Sequence, residues 1–195
     1  PGGAVMGIQS AVAAIQSCAA AKPMHALVHP LAASAGYWLA SQCQDLSASP
    51  GSWVGSVGTM LTAYQPVQPG ETGNQIYILT SEHAGAKRPD LSTDEGKAIS
   101  MVRLNAMEAE FLSAVAQGRG ITVDDVPGRM SRTDDDKMGG DVFWDEDAVS
   151  RGLVDQIETV ASFMSRVGGL YAPKKQTRSR AYHAKAAAAQ ASASL

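Results

Sequence analysis

The segment that most constrains the fold of this chain is residues 24–41, MHALVHPLAASAGYWLAS. Its first six residues form a mainly apolar run, which is typical of a buried strand. The residues from Pro30 onward predict a turn that leads into a helix of small residues, with Ser34 at the junction. A strand that passes directly into a closely packed helix is a feature of α/β proteins.

The remainder of the chain continues this alternation of strands and helices. A long amphipathic helix is predicted between the capping residues 92–95 (STDE) and the terminating residues 118–120 (GRG), with an apolar face that includes Ile99, Val102 and Phe111. The other predicted elements are strands at 45–49, 53–63, 75–80 (QIYILT) and 142–143 and helices at 4–21, from about 122, 144–151 and 157–167. The pattern therefore predicts an α/β fold in one domain.

Charge divides the chain into two parts. The net charge is −3, which does not suggest nucleic acid as the main partner, yet residues 172–195 carry five basic residues and no acidic one. We therefore predict a domain over 1–171 and a basic, alanine-rich tail or linker over 172–195, without a packed core. The tail could contact nucleic acid or an acidic scaffold, and the linker interpretation is favoured.

The sequence indicates neither a metal or cofactor site nor a membrane-spanning helix. The acidic residues between 134 and 147 lack the alternating loop and the distal glutamate of a calcium site, so they predict a solvated surface. No cofactor or metal is predicted. No apolar run reaches the roughly 18 residues that a membrane-spanning helix requires.

Ser34 is the strongest candidate for a nucleophile. It lies between the predicted strand and the predicted helix in AASAG, so its hydroxyl would face a cleft. The backbone N–H groups that follow, beginning with Ala35, could stabilise an oxyanion. An N-cap serine in a tightly packed helix explains the same residues, and the local sequence leaves both interpretations open.

A nucleophilic serine needs a base, and a lysine and the histidines compete for that role. His25 and His29 lie on the strand before Ser34, where a packed or edge histidine is the better explanation. Lys87 follows the QIYILT segment in the loop EHAGAKRPD, together with His83 as a rival. A lysine acts as a base only where burial lowers the pKa of its ammonium group, and most lysines are solvated.

Several motifs occur in one order along the chain. They are PGG at 1–3, AASAGYWLAS at 32–41, GSVG at 55–58, the lysine loop, QGRG at 117–120 and RGLVD at 151–155. This ordered set, over about residues 1–160, resembles the signal peptide peptidase A family of serine–lysine peptidases. Phage relatives in that family include head-maturation proteases of the minor capsid protein C type.

The resemblance implies a site. Ser34 matches the nucleophile and Lys87 the general base, although EHAGAKRPD is longer than the usual Gly-x-x-Lys pattern, which leaves Lys97 as the alternative base. Ser56 in GSVG matches the serine that orients the lysine amine. Gly3 and Ala35 match the residues whose N–H groups form the oxyanion hole.

The resemblance also implies a fold and a function. The expected fold is a ClpP/crotonase-like spiral of ββα units, here lacking its first strand, assembled as a homo-oligomeric ring. The expected function is a serine endopeptidase that processes phage scaffold, portal or capsid proteins, located in the prohead or host cytoplasm. The chain lacks the membrane anchor of the cellular members, and a membrane association would require one upstream.

Three alternatives remain at this point. The first is a cellular peptidase that degrades signal peptides. The second is a catalytically silent module of the same fold that forms rings. The third is a crotonase-like acyl-CoA enzyme, which would require neither Ser34 nor Lys87.

Overall fold

The computed structural model describes residues 1–64, 77 and 79–173. The chain divides into two units, Pro1–Phe163 and Met164–Leu195. The described part of the second unit is mainly the end of one helix. The predicted tail lies outside the described residues from position 174 onward.

Strands and helices alternate along the described chain, which confirms the α/β class predicted from the sequence. Two short 3-10 turns, Gly85–Lys87 and Asp136–Met138, lie between the main elements. In chain order the α-helices and β-strands are α1 (Ile8–Ala21), β1 (His25–Val28), β2 (Leu31–Ala33), α2 (Ala35–Ala40), β3 (Asp45–Ala48), β4 (Trp53–Gly55), α3 (Asp94–Arg119), α4 (Asp125–Arg129), β5 (Val142–Trp144), α5 (Asp145–Ser150), β6 (Gln156–Ile157) and α6 (Val160–Tyr171).

The strands form two small sheets. The first has the order β1-β3-β6 with all neighbours parallel, and the second has the order β2-β4-β5, in which β4 is parallel to β2 and antiparallel to β5. Strands β1 and β3 are each followed within a few residues by a strand of the second sheet, β2 and β4. Two of the three strands of each sheet therefore come from the same pair of chain segments.

The second sheet has one buried and one exposed face. Ala32, Val54 and Phe143 are register partners across its three strands, and all three side chains are buried in the main core. Their neighbours in sequence point the other way, because successive side chains of a strand alternate between faces. This exposed face includes Trp53 and Trp144, whose rings stack with centroids 5.8 Å apart.

Helix α3 packs against α2 and links distant parts of the first unit. Trp38 stacks on Phe111 with ring centroids 4.2 Å apart and an angle of 5° between the planes. At the end of α3, Arg119 forms an ion pair with Asp155 and donates a hydrogen bond to the Gly152 carbonyl. The QGRG and RGLVD motifs therefore meet and join α3 to the strand that follows α5.

Several predicted element boundaries were wrong. The predicted turn at Pro30 contains β2, and the strand predicted over 53–63 ends at Gly55, because Ser56 adopts a left-handed conformation with φ 51°. Of the strand predicted at 75–80, residues 77, 79 and 80 have no regular structure, and the others lie outside the described residues. On α3, Val102 belongs to the predicted apolar face but is 70% exposed.

The limits of α3 were predicted well. Thr93 caps the helix, its side chain accepting a hydrogen bond from the Gly96 N–H, and Gly120 ends it with φ 63°. Within the described residues, no helix is both long and apolar enough to cross a membrane.

Candidate active site

Ser34 occupies a strained turn between β2 and α2. Its backbone has φ 53° and ψ −126°, a combination that L-residues rarely adopt. The Ser34 N–H donates a 2.9 Å hydrogen bond to the Gly55 carbonyl, and the N–H of Trp38 donates to the Ser34 carbonyl at 2.9 Å. The backbone is thus held on both sides, as a strained residue at a functional site requires. The side chain of Ser34 is half-buried.

The first three residues of the chain lie directly against this turn. A Cβ atom added at Gly2 would lie 2.9 Å from the Ser34 Cβ and 3.1 Å from its Oγ. One added at Gly36 would lie 2.9 Å from the Pro1 carbonyl oxygen, and one at Gly3 would lie 3.8 Å from the Ala35 Cβ. The glycines therefore let two backbone segments approach each other closely beside the Ser34 hydroxyl.

Two backbone donors near Ser34 are unpaired within the described residues. Neither the Gly3 N–H nor the Ala35 N–H donates a hydrogen bond to another described residue. Ala35 is the first residue of α2, and the first N–H groups of a helix have no partner inside it. Unpaired backbone N–H groups are the kind of donor that an oxyanion hole uses.

Ser56 lies beside Ser34 at the ends of two parallel strands. Ala33 and Gly55 are register partners, and Ser34 and Ser56 directly follow them. Ser56 has φ 51° and donates its N–H to the Asp141 carbonyl at 2.7 Å. Both serines chosen from the sequence therefore have a positive φ, which few non-glycine residues of the described chain adopt.

Lys87 is not joined to Ser34 in the structure. It ends the 3-10 turn Gly85–Lys87, and its side chain is exposed. Its ammonium group forms no hydrogen bond or ion pair with any described residue. The turn itself is held on α3, where Arg103 donates from Nη2 to the Ala86 carbonyl at 2.6 Å.

Helix α3 also holds the chain that follows Ser56. The Thr59 hydroxyl donates to the Leu104 carbonyl at 2.9 Å. Leu104 is the neighbour of Arg103, which holds the lysine turn. The segment beyond Ser56 and the turn that carries Lys87 are therefore fixed to adjacent residues of one helix.

The alternative bases have other surroundings. The Nδ1 atom of His25 lies 2.5 Å from Asp45 Oδ2, and that of His29 lies 2.7 Å from Ser49 Oγ. His83 is exposed. Among the described residues, none of these three imidazoles forms a hydrogen bond with the Ser34 hydroxyl. Lys97, the alternative lysine, is exposed and lies 3.4 Å from Asp94 within α3.

Two features of the site were not found from the sequence. PGG indicated only a turn and an oxyanion donor, and the position of Gly2 against the Ser34 hydroxyl depends on a contact between remote segments. The hydrogen bond from Ser56 to Asp141 likewise joins residues far apart in the chain and left no local signal. The glycine pair was the one cue that a close backbone approach was needed.

Comparison with known proteins identifies one family. The model of peptidase family S49 matches residues 16–170 of the 195-residue chain. The match includes Ser34, Ser56 and Lys87 and begins after Gly3. No curated protein matched the sequence significantly.

Proposed function

Because the chain belongs to peptidase family S49 and is therefore a serine peptidase, we propose that Ser34 is its nucleophile and Lys87 its general base. The observation that carries the assignment of Ser34 is its strained backbone, φ 53° and ψ −126°, at a strand-to-helix turn. Strain of this kind is retained where it aims a side chain at a substrate. The unpaired N–H groups of Gly3 and Ala35 beside it support an oxyanion hole.

The proposed reaction proceeds through an acyl-enzyme. The Ser34 Oγ attacks the scissile carbonyl carbon while its proton passes to the Lys87 amine, and the oxyanion accepts hydrogen bonds from Gly3 and Ala35. The protonated lysine then gives its proton to the leaving amine. Water hydrolyses the ester with Lys87 again as base, which releases a carboxylic acid and restores the serine hydroxyl. Ser56 would orient the lysine amine.

The role of Lys87 requires that the lysine be shielded from water, because a solvated ammonium group is a poor base. In the structure the Lys87 side chain is exposed. Attachment of both the lysine turn and the chain after Ser56 to α3 supports a shared site, which substrate binding or assembly would then close.

Assembly into a homo-oligomeric ring is part of the proposal. Large apolar side chains are exposed within residues 60–64, at residue 79 and on α3: Met60 at 88%, Tyr64 at 90%, Leu79 at 94% and Val102 at 70%. Groups of exposed apolar residues commonly mark protein interfaces. A neighbouring subunit that covers this region would also remove water from the lysine turn.

The proposed substrates are extended segments of phage scaffold, portal or capsid proteins, and the proposed location is the prohead or host cytoplasm. The support is the resemblance of the ordered motifs to the signal peptide peptidase A family, whose phage relatives include head-maturation proteases. Co-expression of the peptidase with the structural proteins of the same genome, for wild type and Ser34→Ala, tests this. Cleavage of isolated signal peptides in place of these proteins would favour the cellular alternative.

The catalytic assignment is tested by labelling with a fluorophosphonate, which reacts with activated serines, followed by mass spectrometry. We expect modification of Ser34 in the wild type and none in Ser34→Ala or Lys87→Ala. Lys97→Ala serves as the matched control and should label as the wild type does. Loss of labelling in Lys97→Ala with retention in Lys87→Ala would transfer the base role to Lys97. No labelling of the assembled wild type would favour a silent module.

A further inference from the structure

The active-site end of the second sheet is fixed by Asp141, the residue that precedes β5. The Asp141 carbonyl accepts the 2.7 Å hydrogen bond of the Ser56 N–H. A Cβ atom on Gly55 would lie 2.8 Å from this same carbonyl oxygen, so the two backbones are in close contact. Gly55 in turn accepts the hydrogen bond from the Ser34 N–H. A short chain of backbone contacts therefore leads from Asp141 to both active-site serines.

Asp141 is held in place by Arg132. The guanidinium Nε donates to Asp141 Oδ2 at 2.5 Å, and Nη2 donates to the Val142 carbonyl at 2.6 Å. The same group lies over two rings of β5, with Cζ 4.7 Å from the Phe143 centroid and 4.9 Å from that of Trp144. One planar side chain thus contacts four consecutive residues.

We propose that Arg132 is a positioning residue for the peptidase reaction: by fixing Asp141 it keeps Ser56, and through Gly55 also Ser34, in the backbone conformations that the reaction needs. This inference rests on the proposed function, because it assumes that Ser34 and Ser56 act in catalysis. Arg132 forms no hydrogen bond with either serine and acts through the backbone of Asp141.

Arg132 makes more contacts than an ordinary surface ion pair provides. An exposed pair alone contributes little to stability, and the side chains of Arg132 and Asp141 are 39% and 41% exposed. Here the planar guanidinium makes contacts in several directions at once, which a lysine could not reproduce. The Val142 N–H and the Arg132 guanidinium also hold the pKa of the Asp141 carboxyl below its usual value. The carboxylate is therefore well fixed in its charged form.

A second arginine of the same cluster provides the matched control. Arg151 lies over Phe143, with Cζ 4.0 Å from the ring centroid, and donates to the carbonyls of Arg129 and Ser131. It forms no hydrogen bond to Asp141. Removal of Arg151 therefore disturbs the local packing and the Asp147 carboxylate that both arginines contact, but it leaves in place the hydrogen bonds of Arg132 to Asp141 and to the Val142 carbonyl.

The experiment compares Arg132→Gln, Arg151→Gln and the wild type by two readouts. The first is the second-order rate of fluorophosphonate labelling of Ser34. The second is hydrogen exchange of the Ser56 amide relative to buried amides of α3, which separates local release from general destabilisation. In Arg132→Gln we expect labelling to slow by about 10- to 100-fold and Ser56 exchange to accelerate by about tenfold or more. Arg151→Gln should change both by less than about threefold.

Each other outcome has a definite meaning. Labelling of Arg132→Gln at the wild-type rate, or unchanged Ser56 exchange, would overturn the inference and leave the proposed function intact. An equal loss of labelling rate in both variants would show that Arg132 only stabilises the fold in general. A wild type that fails to label would overturn the catalytic role of Ser34 itself. The exchange comparison would then still decide whether Arg132 holds Ser56.

Discussion

Replacement of Gly2 by alanine should lower the reactivity of the Ser34 hydroxyl without unfolding the protein. The added Cβ would lie 2.9 Å from the Ser34 Cβ and 3.1 Å from Oγ. Carbon atoms in ordinary contact are about 3.5–4.0 Å apart, so the overlap is about 0.6–1.1 Å. Relief requires that the serine side chain rotate or that the two backbone segments separate by a similar distance.

The size of the effect follows from that displacement. A misplacement of about 1 Å at a reacting group costs about 100-fold in rate, or about 2.7 kcal/mol of activation free energy. Stability should change little, because Gly2 is exposed and its φ lies outside the left-handed region. We therefore expect a labelling rate about 100-fold below the wild type with a thermal midpoint within about 2 °C.

The assay is the time course of fluorophosphonate labelling, with a parallel thermal melt. Gly128→Ala is the control, because an added Cβ there meets no atom within 4 Å. Wild-type labelling by Gly2→Ala would show that the first residues do not lie against Ser34 in solution. Equal loss in Gly128→Ala would show that the effect is unrelated to the contact.

Two further predictions concern stability. Gly55→Ala should lower the free energy of urea unfolding by about 2–4 kcal/mol, because φ is 118° and the new Cβ would meet the Asp141 carbonyl. Gly51→Ala is the control and should lower it by about 1 kcal/mol, because φ is 74° and the new Cβ meets no atom within 4 Å. Equal losses in the two variants would show that the carbonyl contact is unimportant. The lowered pKa of Asp141 means that its carboxylate stabilises the fold above the usual aspartate pKa and that this contribution disappears as the pH falls through the lowered value. Asp141→Asn should therefore be less stable than the wild type at pH 7, and the difference should shrink toward pH 2, whereas a constant difference would contradict the sign.

Local sequence determined the parts of this protein that depend on neighbouring residues. The α/β class followed from alternating patterns, and the limits of α3 followed from the Thr93 cap and Gly120, because capping is satisfied within a few residues. Ser34 could be selected in the same way, since small residues after a strand leave room for a tight turn. The family assignment rested on motifs whose order is a property of sequence alone.

Element boundaries were less predictable where pairing decides them. β2 is only three residues long and exists because it pairs with β4, while β4 stops at Gly55 although the sequence pattern predicted a strand as far as residue 63. The two-residue strand β6 was not predicted, because its pairing with β3 is its main defining feature. Single-sequence patterns carry no information about such partners.

Only the tertiary structure decided how the site is held. The strained backbones of Ser34 and Ser56, the approach of Gly2 and the support from Asp141 all arise from contacts between segments far apart in the chain. The exposure of Lys87 is also a property of the folded molecule. Sequence selected the residue types that the chemistry needs, because those types are few. Their positions depend on backbone contacts, and backbone atoms are the same at every position of a sequence.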